Sequence, residues 1–168
     1  MAFNFNYKEL EFEEVTPGIY EALVQNVSEQ YTEGNGKKHL NVSIVIRNDV
    51  QQNHQNAMLN YKIWTSDRPD IKTIDGYVEF SLAMMCRACS LPEQINVGSV
   101  NELSKLWIRK PLTIKVENQE YNGNTYAIIS RVDPTTNHTV NHIYKGKNQN
   151  QEPASSFVPR NNDDNIPF

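Results

Sequence analysis

Apolar and polar side chains alternate most cleanly from Leu40 to Arg47, with Leu40, Val42, Ile44 and Ile46 on one face and Asn41, Ser43, Val45 and Arg47 on the other. Such a period of two predicts a strand buried on one side. Ile19 to Val24, rich in β-formers after the Pro17-Gly18 break, predicts an earlier strand, and Glu33-Gly34-Asn35-Gly36 predicts the turn between them. Beyond the polar residues 49–56, a third strand is expected from Ala57 to Trp64 and a loop from Thr65 to Ile74. Tyr77 to Cys89 lacks alternation. Its Val78, Leu82, Met85 and Cys89 recur at helical intervals, with Asp75 near the start, so one helix is expected there. A shorter helical turn is expected from Val100 to Leu106. Leu112 to Asn118 and Thr125 to Val132 then alternate on either side of Tyr121-Asn122-Gly123-Asn124, which has the chemistry of a hairpin turn.

Three strands, a helix and two strands is the element order of an OB-fold, a small Greek-key barrel. The expected fold class is therefore mainly β: a five-stranded, OB-fold-like barrel with one helix between strands three and four. Other small β-barrels share the same elements. Residues 145–168 are too polar to build a core, so the barrel domain is expected over 1–144 and a flexible, disordered tail over 145–168.

Hydrophobic residues make up 38% of the 168 and mean hydropathy is −0.63, low for a chain packed throughout. No apolar run has membrane-spanning length, and the start lacks the basic-then-apolar pattern of a secretory signal. A cytoplasmic, reducing compartment is expected. Net charge is −4, yet the charge is uneven: residues 1–33 hold seven acids and one base, while Gly34 to Val132 holds twelve bases and nine acids. That local balance of +3 permits a phosphate-tracking groove without requiring one.

Single strands are held by aromatic rings that stack on bases and by Lys or Arg that follow phosphates. OB-folds present both from strands two and three and from the loops joining strands one to two and four to five. Tyr31, Lys37 and Lys38 flank the first hairpin; Arg47 lies on the polar face of strand two; Tyr61, Lys62 and Trp64 lie on strand three. Lys115, Tyr121, Tyr126 and Arg131 occupy the last hairpin. Taken singly, Trp64, Tyr126 and Tyr61 read better as core residues, since strand aromatics are buried more often than they bind ligands.

Cys86 and Cys89 form a CxxC, and His138 and His142 have a spacing found among zinc ligands. With 48 residues between the pairs and the cysteines within the expected helix, buried free thiols are the better reading and no metal or cofactor is assigned. Glu11, Glu13 and Glu14 read as a solvated acidic face. No phosphate-cradling glycine loop or nucleophile elbow is present, and no enzyme is expected.

The last six residues, Asp163-Asp164-Asn165-Ile166-Pro167-Phe168, place two carboxylates, a stiff Ile-Pro step and a Phe after a polar stretch. This tip resembles the Asp-Asp-Asp-Ile-Pro-Phe ending of bacterial and phage single-stranded DNA-binding proteins, departing at Asn165. The body, through Pro17-Gly18-Ile19-Tyr20, the Leu40 to Arg47 strand and the Phe80 to Cys89 helix, is similar to a family of short phage proteins thought to bind single strands. The resemblance implies a barrel that coats single-stranded DNA without sequence preference during replication, recombination or repair. It also implies that Asp163, Asp164, Ile166, Pro167 and Phe168 recruit replication and recombination proteins. Self-association stays open. The rival readings are an OB module that binds only protein, and a CxxC zinc or redox protein.

Overall fold

A computed structural model describes residues 14–144. The tail, its Asp163 to Phe168 tip, and Glu11 and Glu13 lie outside those residues. β1 (Gly18–Tyr31) runs well past Val24, where the sequence pattern stops. Gln25 is the reason: the register with β2 (Lys38–Ile46) steps from Val24↔Ile44 to Asn26↔Ser43, leaving Gln25 as an extra residue. A bulge of this kind reverses the parity of every later side chain, so the core-side series Tyr20, Ala22, Val24 resumes at Val27.

β3 (Met58–Trp64) pairs with β2, β6 (Pro111–Tyr121) pairs with the start of β1, and β7 (Asn124–Asp133) pairs with β6. The result is an antiparallel five-stranded sheet in the order β3-β2-β1-β6-β7. The expected closed barrel is not formed. β3 and β7 are the edges, and they approach to within 8 Å between Cα atoms without a hydrogen-bonded ladder. α1 (Glu79–Ala88) packs against both edge strands, where the sheet fails to close.

Between β3 and α1 the chain makes a small hairpin, β4 (Thr73–Ile74) and β5 (Tyr77–Val78), where a loop was expected. Asp75 and Gly76 turn it with φ of 53° and 87°. Asp75 therefore does not cap α1; its carboxylate accepts the Val100 N–H at 2.9 Å and anchors α2 (Val100–Lys105). Ser99 caps α2 by accepting from the Glu102 N–H. The β6–β7 hairpin turns at Asn122 and Gly123, with φ of 52° and 80°, as its sequence predicts.

The inner face of the sheet contributes Ala22, Val24, Val42, Ile44, Ile46, Ile63, Leu112, Ile114 and Val132 to one core. Leu82, Met85 and Ala88 of α1 and the fully buried Trp107 cover it. Residues 134–144 then cross the opposite, outer face as a strap over the end of β2. Among the described residues, no helix is long and apolar enough to cross a membrane.

Candidate nucleic-acid interface

Strand register decides which side chains share the outer face. Across β1, β2 and β3 it forms three rungs: Gln30–His39–Trp64, Ser28–Asn41–Lys62 and Asn26–Ser43–Asn60. Eight of these nine positions carry a group able to hydrogen-bond or ionise, besides the indole of Trp64, and none is aliphatic. Asn41 Nδ2 donates to Asn60 Oδ1 at 3.1 Å, and the Ser43 hydroxyl donates to the same oxygen at 3.4 Å. This is a surface of amides and hydroxyls, suited to base edges and sugars.

Trp64 stands at one end of the ladder. The Lys37 ammonium lies 5.3 Å from its ring centroid and the Lys62 ammonium 5.7 Å, and among the described residues neither lysine forms an ion pair. His39 packs beside the indole, 4.7 Å between centroids. Cation–π contacts at an exposed site are worth about 0.5–1 kcal/mol. A base stacked on an aromatic ring is worth about 1–3 kcal/mol, more than one such contact.

The other expected site residues divide into groups. Lys38 and Tyr31 face each other across β1 and β2, but on the opposite side of the sheet from Trp64. Lys38 is engaged there, 3.6 Å from Glu29 and 5.4 Å from the Tyr77 ring, while the Tyr77 hydroxyl donates to Glu29. Tyr61 turns inward, packs on the core, and has its phenol pKa raised by burial; the core reading applies to it and not to Trp64 or Tyr126. On the β6–β7 hairpin, Tyr121 opposes Asn124, two residues from Tyr126, so both rings share its outer side and are 67% and 46% exposed. Lys115 and Arg131 oppose each other at its base, each neutralised by a neighbour: Glu117 at 3.6 Å and Asp133 at 2.6 Å.

Arg47 lies on the outer face, as its alternation predicts, yet it is fully buried and unavailable to a phosphate. Nε and Nη2 donate to the two Asp49 carboxylate oxygens at 2.9 and 2.7 Å. Nη1 and Nη2 also donate to the carbonyls of Asn137 and Thr139, both at 2.7 Å. The strap is held further where the Asn48 N–H donates to His142 Nδ1 at 3.0 Å and the Asn141 N–H donates to Asp49 at 2.7 Å. The guanidinium holds the Asp49 carboxyl down to about 2 and is the first cause of that shift. Arg47 is a clasp for residues 134–144.

A cleft of about 770 Å³ is bounded by α1, α2 and the segment between them, lined by Leu82, Cys86, Leu91, Val97 and Leu103 with Asp75, Glu79 and Glu93 against one base, Arg87. Apolar walls and excess acid are the wrong chemistry for a phosphate backbone. Cys86 accepts the Trp107 indole N–H at 3.4 Å, and burial pushes the Cys89 thiol up to about 12. Low-pKa nucleophilic thiols have the opposite environment. Among the described residues, no three His, Cys, Asp or Glu side chains gather to hold a metal ion.

The face thus joins Lys37, Lys62 and Trp64 of the expected residues with Ser28, Gln30, His39, Asn41, Ser43 and Asn60. Asn41 and Ser43 already stood out as the polar half of the β2 alternation. Ser28 and Gln30 were hidden by the Gln25 bulge. A family model described as a protein of unknown function, DUF669, matches residues 2–141 and so ends within the strap. No curated protein matches the chain.

Proposed function

The chain belongs to the DUF669 family, and we propose that it binds single-stranded DNA across the outer face of β1, β2 and β3, in the service of phage DNA replication, recombination or repair. The observation that carries this reading is Trp64, with two lysines over its ring that form no ion pair among the described residues, at the end of a polar ladder. An aromatic platform, mobile cations and hydrogen-bonding groups are the parts that a single strand needs. The strand order β3-β2-β1-β6-β7 supports an OB-fold reading, in which the second and third strands and the hairpin after β6 bind the ligand. In that reading Tyr121 and Tyr126 supply a second stacking surface. Asp163, Asp164, Ile166, Pro167 and Phe168 recruit partner enzymes by presenting acid and apolar groups to a basic, apolar pocket.

Fluorescence titration of the full chain with oligo-dT at several salt concentrations tests the proposal. Each phosphate neutralised on a single strand contributes a slope of about −0.7 in log K against log salt. Lys37 and Lys62 alone, or with Lys115 and Arg131 released from their partners, give an expected slope between about −1.4 and −2.8. A folded sample that fails to bind at low salt overturns the reading.

A further inference from the structure

We propose that Thr32 and His39 form a base-reading subsite beside Trp64, so that the protein discriminates among nucleobases at that one position. The inference rests on the reading of this face as a single-strand interface. Among the described residues, three buried side-chain polar atoms have no hydrogen-bond partner: Thr32 Oγ1, His39 Nδ1 and His39 Nε2. All three belong to one corner of the outer face. His39 occupies the rung with Gln30 and Trp64, and Thr32, two residues beyond Gln30, donates its backbone N–H to the Lys37 carbonyl at 2.9 Å.

The contrast with the other buried polar side chains is sharp. Arg47, Ser104, Thr135 and His142 are buried and each is partnered: Arg47 by Asp49, Ser104 by the Asn101 carbonyl, Thr135 by Glu21 and His142 by the Asn48 N–H. Native folds pair the large majority of buried polar atoms, because an unpaired one destabilises the folded state. An unsatisfied imidazole that is only 3% exposed, against an aromatic ring over which two ammonium groups lie, is an investment in binding rather than in folding.

The chemistry favours a base over a phosphate as the missing partner. A neutral imidazole offers one donor and one acceptor, and a hydroxyl offers both, which matches the mixed donor and acceptor edge of a nucleobase. A phosphate presents acceptors only, and Lys37 and Lys62 already serve it. When a base stacks on Trp64, movement of the indole brings the base edge to His39 Nε2 or Nδ1 and to Thr32 Oγ1. Those atoms then gain the partners that the described residues do not supply.

The test compares wild-type full-length protein with His39→Phe, Thr32→Val and Trp64→Ala, titrated with oligo-dT, oligo-dC and oligo-dA. Dividing each variant affinity by the wild-type value cancels differences in how the oligomers stack on themselves. His39→Phe and Thr32→Val are expected to weaken the best-read base by about tenfold and the worst by less than about twofold. His39→Phe is also expected to raise the melting temperature by about 2–4 °C, since it removes the unpaired groups while keeping the ring. Thr32→Val leaves the ring pair intact and carries the test if His39→Phe does not fold. Equal losses on all three oligomers, or none, with binding still dependent on Trp64, overturn the base-reading subsite alone. No binding by folded wild-type protein overturns the single-strand reading with it.

Discussion

Arg47→Ala separates two roles for one residue, phosphate contact and structural clasp. Its guanidinium makes four hydrogen bonds of 2.7–2.9 Å, two to Asp49 and two to strap carbonyls. Charged hydrogen bonds at about 1.5–3 kcal/mol each sum to more than the net effect, because burying the guanidinium cost much of that energy first. What the substitution leaves behind sets the scale: a carboxylate with only 9% of its side chain exposed and without its cation, and two carbonyls without donors. Removing one partner of a buried pair destabilises by about 3–5 kcal/mol. For a chain of this size that lowers the melting temperature by about 10 °C. Urea denaturation of the full chain measures the free energy, and oligo-dT titration under native conditions measures binding. The expected result is a loss of about 3–5 kcal/mol in stability with less than about a twofold change in affinity of the folded protein. A stability loss below about 1 kcal/mol, or a tenfold loss of affinity by a folded variant, refutes the clasp.

Three further outcomes are expected. Asp49 titrates at about 2 in the fold against an ordinary 3.8, so its carboxylate stabilises the protein above about pH 4 and that contribution disappears as pH falls toward 2. The shift corresponds to about 2 kcal/mol; Asp49→Asn should lack this part of the acid-denaturation curve, and an unchanged curve contradicts it. Lys62→Ala should make the salt slope shallower by about 0.7, whereas Lys38→Ala, already committed to Glu29 and Tyr77, should leave it within error; the reverse pattern moves the binding face to the other side of the sheet. Cys89 should react with iodoacetamide at pH 8 at least about 100-fold more slowly in the native protein than in urea, since burial raises its thiol pKa; fast native alkylation contradicts that burial.

The strand pattern was legible wherever alternation ran unbroken. β2 and the β6–β7 hairpin follow directly from it, and Asn122-Gly123 turns the hairpin with both residues at positive φ. β1 was legible only to Val24, because Gln25 adds one residue and shifts the period that a sequence reader follows. Asp75-Gly76 carried the same turn chemistry as Asn122-Gly123, but the flanking strands are two residues each, too short for alternation to register. Barrel closure is a long-range matter of how far β3 and β7 approach, and element order does not fix it.

For the site, alternation placed Arg47 on the correct face but carried no sign of the strap above it, since residues 134–144 have no apolar period. Register alone separates Tyr61 from Trp64, three residues apart and on opposite sides. His39 precedes Leu40 in an ordinary strand, and only the fold reveals that its ring nitrogens are buried with no hydrogen-bond partner among the described residues.

Photocrosslinking of the full chain to oligo-dT carrying 5-iododeoxyuridine, followed by peptide mapping, tests the central claim most directly. The account predicts crosslinks at Trp64, with Tyr121 or Tyr126 as the second site, and their loss on competition with unlabelled oligo-dT. Crosslinks confined to Tyr31, to the α1–α2 cleft or to the strap, with Trp64 unmodified, contradict it.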